Sequence, residues 1–427
     1  MSKKVTLALI GAGERGQYCY APYAKLHGYE VAFTAVADPH NGRRQQFVRD
    51  YAIAKEGEFR TAEELLSRPK LADAVIIATQ DNQHFDYACR AIDLGYSVLL
   101  EKPISPSLHE CLELQARAEA KGTMIMVCHV MRYTKFYRKL KQLLDSGAIG
   151  EVVHVNHTEN VGYWHYAHSY VRGNWHRTAD ASAMILAKCC HDMDILAWLL
   201  DSRCRRVSSF GGLRYFREEN APAGSPERCT DGCPHSASCP YYAPALYLDD
   251  ATPWPTAFHA LGPDRSYEAR KLALETGPYG KCVFHNDNDV VDHQTASLEF
   301  ENGVTVAFTM CAFSDACDRT MKFMGTKGEI VASMEANTIR VTQFGPGVRT
   351  GDTQMITVKP GATGHSGGDE GIMEEFVSIL QGRRENTNPI AQSVHSHVMA
   401  FAAEESRLQG GRVVEIEEFQ RRAGAPQ

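Results

Sequence analysis

The first third of the chain alternates short apolar runs with amphipathic stretches. Five runs have the length and composition of buried strands: KVTLALI, VAFTAVAD, DAVIIAT, SVLLEKP and MIMVCHV. Between them, TAEELLSRP, HFDYACRAIDLG and SLHECLELQARAEAKG have helical periodicity. Strands that alternate with helices in this way form a parallel sheet with right-handed crossovers. The pattern predicts a Rossmann domain over residues 1–128.

From residue 151 onward the alternation stops. EVVHVNHTENVGYW predicts one strand, and DHQTASLEFENGVTVAFTMCAFS, RTMKFMGTKGEIVASME and TIRVTQFG predict successive antiparallel strands. ASAMILAKCCHDMDILAWLLD predicts an amphipathic helix that ends at Asp201, and two amphipathic helices near the end are expected to pack back on both domains. The pattern predicts a second α/β domain over residues 129–427, in which residues 204–288, rich in Pro, Gly and Tyr, form an insertion.

A glycine-rich turn, GAGERG, follows the first predicted strand. Its three glycines fit the G-x-G-x-x-G pattern of dinucleotide-binding folds, which needs a tight turn, close approach to a pyrophosphate and close packing of helix on strand. They are Gly11, Gly13 and Gly16. Asp38 ends the second strand, where a carboxylate binds the ribose hydroxyls and repels a 2′-phosphate. The pattern therefore favours NAD over NADP, a preference that Arg43 and Arg44 are close enough to weaken.

Composition narrows the class of partner. The chain has 427 residues, 44% of them hydrophobic and 23% charged, and its net charge of -7 argues against nucleic acid or an anionic membrane as a partner. No secretory signal pattern opens the chain and no apolar run reaches the length of a membrane span, so we expect a cytoplasmic protein. Thirteen mostly scattered cysteines then indicate reduced thiols.

Four motifs follow one another along the chain: GAGERG, ATQDNQH, EKP and HVMRY. In these motifs and their order, the chain resembles the Gfo/Idh/MocA family of NAD(P)-dependent sugar and polyol oxidoreductases. The resemblance covers essentially the whole chain. It implies an α/β fold class: an N-terminal Rossmann domain with a parallel sheet, and a C-terminal α/β domain with a large open, mostly antiparallel sheet. The family often forms oligomers through that sheet, which implies a homodimer or homotetramer.

The resemblance also implies the cofactor contacts and one catalytic group. The family's EKP lysine reaches the substrate near the nicotinamide, and its proline is commonly in a cis peptide; here these are Lys102 and Pro103. ATQDNQH matches a family element except that Gln80 replaces proline. The remaining residues expected at the cofactor are Glu14, Arg15, Thr79, Asn82, His84 and Glu101.

A His-x-x-Asp element carries the family's catalytic histidine, which corresponds to His191 here. Many members have an aspartate four residues earlier, where this chain has Ala187. We expect His191 to be the acid/base, with Lys102 as orienting group or co-base. Lys188 is either a second lysine that flanks the reacting hydroxyl or half of a structural ion pair.

The loop HYAHSYVRGNWHR is rich in aromatic residues and histidines, which suit the faces and hydroxyls of a sugar ring. Substrate contacts are expected from the loop, the residue Tyr163 before it and Asp192 on the following helix. The loop residues are His165, His168, Arg172 and Trp175. The alternative is a packed loop whose histidines are satisfied locally.

Four cysteines of the insertion have spacings that suit a structural zinc ion, although less strictly than paired C-x₂-C motifs. They are Cys229, Cys233, Cys239 and Cys282. His235 and His285 are substitute ligands, an iron–sulfur cluster is a further hypothesis, and unligated thiols are the alternative to both.

Three functions fit these features. The leading one is an NAD-dependent dehydrogenase that acts on a sugar, polyol or glycoside hydroxyl. The second is a glycosidase that uses retained NAD to oxidise a sugar transiently, eliminate the aglycone and reduce the product. The third, a cofactor sensor without turnover, predicts loss of Lys102 or His191, and both are present.

Overall fold

The computed structural model describes residues 3–347, 350–361 and 364–424, which form two β-sheets. The first sheet is parallel, with its six strands in the spatial order 3-2-1-4-5-6. In chain order these strands are β1 (Val5–Ile10), β2 (Val31–Ala37), β3 (Glu58–Phe59), β4 (Ala74–Ile77), β5 (Ser97–Leu100) and β6 (Ile125–Val127). The residues of β4 and β6 are all buried, as expected of parallel strands covered on both faces.

Helices cover this sheet and begin and end at local signals in the sequence. They are α1 (Pro22–Leu26), α2 (Asn41–Tyr51), α3 (Ala62–Leu66), α4 (His84–Asp93), α5 (Leu108–Lys121) and α6 (Lys135–Asp145). The Ser107 hydroxyl accepts the Glu110 N–H at the start of α5, and Gly122, at a φ of 60°, ends that helix. A π-helical segment, Glu14–Tyr20, follows the glycine turn.

The second sheet has nine strands in the spatial order 14-13-12-11-7-10-9-8-15. They are β7 (Val152–Gly162), β8 (Cys204–Gly212), β9 (His293–Phe300), β10 (Thr305–Ser314), β11 (Asp318–Gly325), β12 (Gly328–Ser333), β13 (Thr338–Phe344), β14 (Thr350–Thr357) and β15 (Val414–Glu415). β7 and β10 pair in parallel, and the other pairings described for this sheet are antiparallel. The predicted fold class is confirmed.

The helices of the second half are α7 (Tyr163–Tyr166), α8 (Met184–Ala187), α9 (Cys190–Leu200), α10 (Ala243–Tyr247), α11 (Tyr267–Thr276), α12 (Gly368–Leu380), α13 (Ile390–Leu408) and α14 (Ile416–Ala423). A π-helical segment, Ala167–Arg172, continues α7. The short 3₁₀ segments are Lys55–Gly57, Asp81–Gln83, Val130–Tyr133, Glu218–Asn220, Pro255–Ala260, Pro278–Gly280 and His365–Gly367.

Two local predictions are corrected. The single helix predicted up to Asp201 is two helices, because the chain leaves helical geometry at Cys189, where φ is -91° and ψ is 5°, between α8 and α9. The segment from Cys204 begins as a sheet strand, β8, which pairs with β9, so the insertion starts after Gly212.

The C-terminal helices and the insertion complete the molecule. α12 packs against the Val130–Tyr133 turn and the Glu14–Tyr20 segment, and α13 packs against α5, α9 and β8. The insertion has a small core of its own, which includes Tyr247 and Phe258. None of the described helices is long and apolar enough to cross a membrane.

Candidate active site

The candidate site lies where three neighbouring parallel strands end. Gly11 follows β1, Thr79 comes shortly after β4, and Lys102 comes shortly after β5. Because β1, β4 and β5 are adjacent and parallel, these residues share one edge of the sheet. In open parallel sheets this is the edge that binds ligands.

Each glycine of the turn has a separate structural reason. Gly11 has a φ of 93°, and a Cβ there would lie 2.4 Å from the carbonyl oxygen of Ala78. A Cβ at Gly16 would lie 2.1 Å from the Gly11 carbonyl oxygen, whereas at Gly13 it would meet nothing within 4 Å. The turn is therefore tight at Gly11, closely packed at Gly16 and open at Gly13, as a pyrophosphate-binding loop requires.

Asp38 is bonded to this loop. One of its carboxylate oxygens accepts the Ala12 N–H at 2.8 Å, and the other accepts the His40 N–H at 2.8 Å. The side chain is buried at the end of β2. Asp38 thus holds the glycine turn in place at the end of β2.

The two arginines that follow Asp38 differ. The guanidinium of Arg44 is buried and donates to Glu58 at 3.0 Å, to Asn41 at 2.7 Å and to the Asp38 carbonyl oxygen at 2.7 Å. Arg43 is exposed. The Arg44 guanidinium is therefore used inside the domain, so its charge does not offset Asp38 for a 2′-phosphate.

Arg15 joins the glycine loop to the EKP turn. It donates to Glu101 at 2.5 Å and to Asp369 on α12 at 2.7 Å. Burial by itself would raise the pKa of Glu101, but the charges of Arg15 and Lys102 and the hydrogen bonds from Tyr20 and Arg15 together outweigh burial and lower that pKa. The ionised Glu101 also accepts the Tyr20 hydroxyl and the backbone N–H of Lys102, and so fixes the turn that carries Lys102.

Glu14, next to Arg15, contacts the insertion. Its carboxylate is hydrogen-bonded to Nδ1 of His259, and the His259 ring lies 4.9 Å from the ring of Tyr18. The insertion therefore reaches the loop that is expected to hold the cofactor, a contact that the sequence did not indicate.

The remaining residues expected at the cofactor occupy different positions. The buried Thr79 hydroxyl and the amide of Gln17, just after the glycine turn, have no partner in the described structure, and such groups are costly unless a ligand or water binds them. Asn82 is exposed. His84 is buried between the carbonyl oxygens of Pro103, at 2.7 Å, and Thr79, at 3.2 Å, so it positions the turn. Open backbone at Gly13 and unpaired polar atoms beside it fit a dinucleotide.

Lys102 extends from this edge toward the second domain. Its ammonium donates to the carbonyl oxygen of Ala187, the last residue of α8, at 2.7 Å. The Lys102–Pro103 peptide bond is cis, as the resemblance implied. Position 187, where the resemblance implies an aspartate in many family members, thus offers Lys102 a backbone carbonyl oxygen and no side-chain acid.

His191 lies in the first turn of α9 and is 5% exposed. Burial, followed by the positive charges of Lys102 and of the neighbouring His129, lowers the pKa of His191 well below its ordinary value. Its Nδ1 has no described partner. At neutral pH the imidazole is uncharged, which is the form that can accept a proton.

Lys188 and Asp192 belong to a buried charge cluster. The Lys188 ammonium is paired with Glu159 on β7 at 3.4 Å, and Arg319 on β11 contacts both Glu159, at 2.8 Å, and Asp192, at 2.9 Å. His157 adds a contact of 2.6 Å to Asp192, which is fully buried. Lys188 therefore has the second of its two predicted roles, an ion pair. Asp192, which was expected to contact the substrate, is instead fully buried and supports the site from behind.

The aromatic loop divides into two groups of residues. Trp175 donates from Nε1 to Asp81 at 3.3 Å, which brings it to the edge of the parallel sheet. Tyr163 and His165 are partly exposed. Nδ1 of His165 lies 3.4 Å from the sulfur of Cys317. These loop residues are the ones whose side chains remain accessible to a substrate.

His168 and Arg172 are instead buried against the insertion. Nδ1 of His168 lies 2.7 Å from the Tyr247 hydroxyl, and Arg172 donates to the carbonyl oxygens of Lys281 and Tyr241, each at 2.7 Å. Burial lowers the pKa of His168 to about 4. These two side chains anchor the insertion to the loop.

The predicted zinc site is not supported. The four cysteines line one small cavity, but within residues 3–347, 350–361 and 364–424 no three His, Cys, Asp or Glu side chains are arranged to hold a metal ion. The Arg172 guanidinium contacts the Cys229 sulfur at 3.7 Å, and burial raises the pKa of Cys239 and Cys282, which favours neutral thiols. Packing and backbone hydrogen bonds, such as Cys229 N–H to Gly280 at 2.9 Å, stabilise the insertion instead.

Sequence reasoning missed several residues at the site. They are Asp81, Glu159, His259, Arg319 and Asp369. Asp81 lies within the ATQDNQH motif, so the resemblance of that motif could have indicated it. The others come from distant parts of the chain, and no local signal marks them.

Two family models match almost the whole chain. The oxidoreductase family's NAD-binding Rossmann fold matches residues 5–129, and its C-terminal α/β domain matches residues 141–416. The chain belongs to the Gfo/Idh/MocA oxidoreductase family. The Rossmann edge described above is thus the NAD-binding side of a family member.

The relatives of this Gfo/Idh/MocA protein are named for different activities. It is 24% identical to the oxidoreductase YteT of Bacillus subtilis over 73% of each chain. It is 29% identical to the NAD⁺-dependent scyllo-inositol 2-dehydrogenase of Bacillus subtilis, over 50% of this chain and 59% of the relative. It is 28% identical to the 2,7-anhydro-N-acetylneuraminate hydratase of Mediterraneibacter gnavus, over 49% of this chain and 53% of the relative.

The fold is shared with solved structures of other oxidoreductases. An oxidoreductase from Agrobacterium radiobacter, solved in complex with NAD⁺, L-tartaric acid and magnesium, superposes with a TM-score of 0.67. The match covers 97% of this chain and 99% of that one at 17% identity. At this identity the likeness shows a shared fold.

Proposed function

We propose that this Gfo/Idh/MocA protein transfers a hydride between a hydroxyl-bearing carbon of a sugar, polyol or glycoside and the nicotinamide of NAD. The observation that carries the proposal is the position of Lys102 beside the uncharged His191 at the edge next to the glycine loop. The name of the inositol dehydrogenase relative supports a polyhydroxylated substrate.

The two side chains would divide the proton chemistry. Oxidation of a carbinol removes a hydride from carbon and a proton from the hydroxyl. Bound NAD supplies the hydride acceptor. His191 takes the hydroxyl proton, because its imidazole is uncharged at neutral pH and has a free lone pair to accept one. Lys102, held by the Ala187 carbonyl, keeps further N–H donors that can orient the hydroxyl oxygen.

NAD is preferred to NADP in this proposal. A buried Asp38 carboxylate disfavours a 2′-phosphate, and the buried Arg44 guanidinium does not offset it. A 2′-phosphate next to the Asp38 carboxylate would bring two anions together, and their repulsion would weaken the binding of NADP.

The test is turnover with NAD on a panel of sugars and inositols, measured as reduced cofactor. We expect Lys102→Met to lower kcat by at least about 100-fold while NAD affinity stays the same. Lys121→Met, at a side chain 53% exposed, is the matched control and should be unchanged. A Lys102→Met protein with wild-type kcat would refute the assignment.

A second function is favoured by the contact between His259 and Glu14. An insertion that covers the glycine loop would slow cofactor exchange, and a retained cofactor is what transient oxidation, elimination and re-reduction require. The hydratase name of one relative is in keeping with this chemistry. Aryl glycosides distinguish the two functions. Aglycone release without net reduced cofactor supports the second function, and stoichiometric reduced cofactor supports the first.

A further inference from the structure

An aromatic cavity of about 520 Å³ lies between the loop after β7 and the insertion. Its volume falls within the roughly 300–1,000 Å³ of small-molecule sites. The main lining side chains are Tyr163, Trp164, Tyr241, Tyr242, Leu246 and Trp254. Two of the four tryptophans of the chain are therefore in this one cavity. Neither the hydride transfer nor the cofactor uses it.

The cavity depends on both segments. The rings of Trp164 and Trp254 are 4.6 Å apart at an interplanar angle of 60°, and those of Tyr163 and Tyr241 are 5.9 Å apart at 76°. Each pair joins one ring from the loop with one from the insertion. Trp164 is fixed by its Nε1–H, which donates to the Asp315 carbonyl oxygen at 3.2 Å. These ring contacts and the Trp164 hydrogen bond fix the aromatic side chains, so the cavity has preformed, flat and apolar walls.

His165 connects the cavity to the reaction site. Its ring lies 5.8 Å from that of Trp164 and 5.4 Å from that of Trp254. Burial, followed by the charge of Lys188, lowers its pKa. Lys188 is paired with Glu159 on β7, the strand that leads into this loop, and the preceding residue, Ala187, binds Lys102. The cavity therefore begins on the segment that directly continues the strand next to the reaction site.

We propose that this cavity binds a second six-membered ring with a flat apolar face, joined to the sugar that reacts beside Lys102. Aryl rings and the faces of pyranoses share this chemistry, because both stack on Trp and Tyr. The substrate class is then a glycoside with a ring in its aglycone position. This inference rests on the proposed function for the place of the reacting sugar, while the ring site itself rests on the cavity.

Calorimetric titration of the full-length protein tests the ring site without turnover. The probes are methyl β-D-glucopyranoside, phenyl β-D-glucopyranoside and methyl β-cellobioside, with the corresponding galactosides for a different sugar. We expect a phenyl or second glucosyl ring to tighten binding by about tenfold over the methyl probe. The phenyl and glucosyl probes distinguish an aryl from a sugar aglycone. Equal affinity for the methyl probe and both two-ring probes would overturn the proposal.

Three variants locate the effect. Trp254→Ala should abolish the preference for two rings, and Ala245→Phe, at the cavity lining, should do so by filling space. Leu272→Ala, at an insertion residue 58% exposed, is the control and should keep the preference. If Trp254→Ala does not fold, Ala245→Phe decides the result. A preference that persists in the folded cavity variants refutes the site. Ring binding without any oxidation refutes the proposed function alone.

Discussion

The Lys102 ammonium is bound by the backbone carbonyl of residue 187, where the resemblance implies an aspartate in many family members. Ala187 offers its carbonyl oxygen at 2.7 Å but no negative charge. As a result, the positive charge of Lys102 acts on His191 without compensation from position 187 and adds to burial in lowering the pKa of that histidine. We therefore expect the side chain at position 187 to influence the protonation of His191.

Ala187→Asp should therefore move the pH dependence of the reaction. A carboxylate near His191 favours the imidazolium, so the pKa of His191 rises and a higher pH is needed to deprotonate it. We expect the acidic limb of kcat/KM to move upward by about one pH unit. Profiles of the wild type, Ala187→Asp and the neutral control Ala187→Asn measure this shift. An acidic limb at the same pH in all three proteins would contradict it.

At the scale of elements, a buried arginine connects two strands and a helix. Arg319 on β11 contacts Glu159 on β7 and Asp192 on α9, and both carboxylates are almost fully buried. Burial opposes ionisation of Asp192, but the charges and hydrogen bonds of Arg319 and His157 together hold its pKa well below the usual value. At Glu159 burial dominates and raises the pKa. The cluster fixes α9, and hence His191, on the second sheet.

Arg319→Met should be strongly destabilising, because it leaves two buried carboxylates without their main cation. We expect the free energy of unfolding to fall by about 3–5 kcal/mol in urea titrations at pH 7. The loss should be smaller at pH 5, where a carboxylate that has lost Arg319 can bind a proton. Arg340→Met on β13, an exposed position, should stay within about 0.5 kcal/mol. Equal stability of both variants would show that the cluster contributes little.

At the scale of the whole molecule, the insertion and α12 both reach the glycine loop from outside the Rossmann domain. His259 bonds to Glu14, and Asp369 on α12 pairs with Arg15 at 2.7 Å. Two consecutive loop residues are therefore held by segments more than 240 positions away in the chain. Contacts with the second half of the protein therefore stabilise the loop that would hold the pyrophosphate.

His259→Ala should speed the release of NAD. The lost contact is at an exposed edge, so we expect at least about a threefold increase in the dissociation rate. Stopped-flow displacement of bound NADH and the cofactor content after gel filtration measure it. His154→Ala, at a partly exposed histidine on β7, should leave the rate unchanged. An unchanged rate in His259→Ala would also weaken the case for a retained cofactor.

Local patterns in the sequence were sufficient for the fold class and for part of the site. Strand and helix periodicity indicated the parallel sheet, and the spacing of Gly11, Gly13 and Gly16 indicated the loop, because each needs only the residues of one short segment. Lys102 and His191 followed from motifs that resemble a family. The zinc hypothesis is not supported: the four cysteines line one small cavity, but within the described residues no three side chains are arranged to hold a metal ion, and cysteine spacing alone does not determine that arrangement.

The tertiary structure alone decided how the charges pair and where the second cavity lies. Lys102 meets Ala187, Arg319 meets Asp192, and the loop at Trp164 meets the insertion at Trp254 only after folding. The physical reason is that buried charges and apolar faces are stabilised by whichever distant group the fold brings within a few ångströms. That choice depends on the packing of both domains, which short-range sequence patterns do not encode.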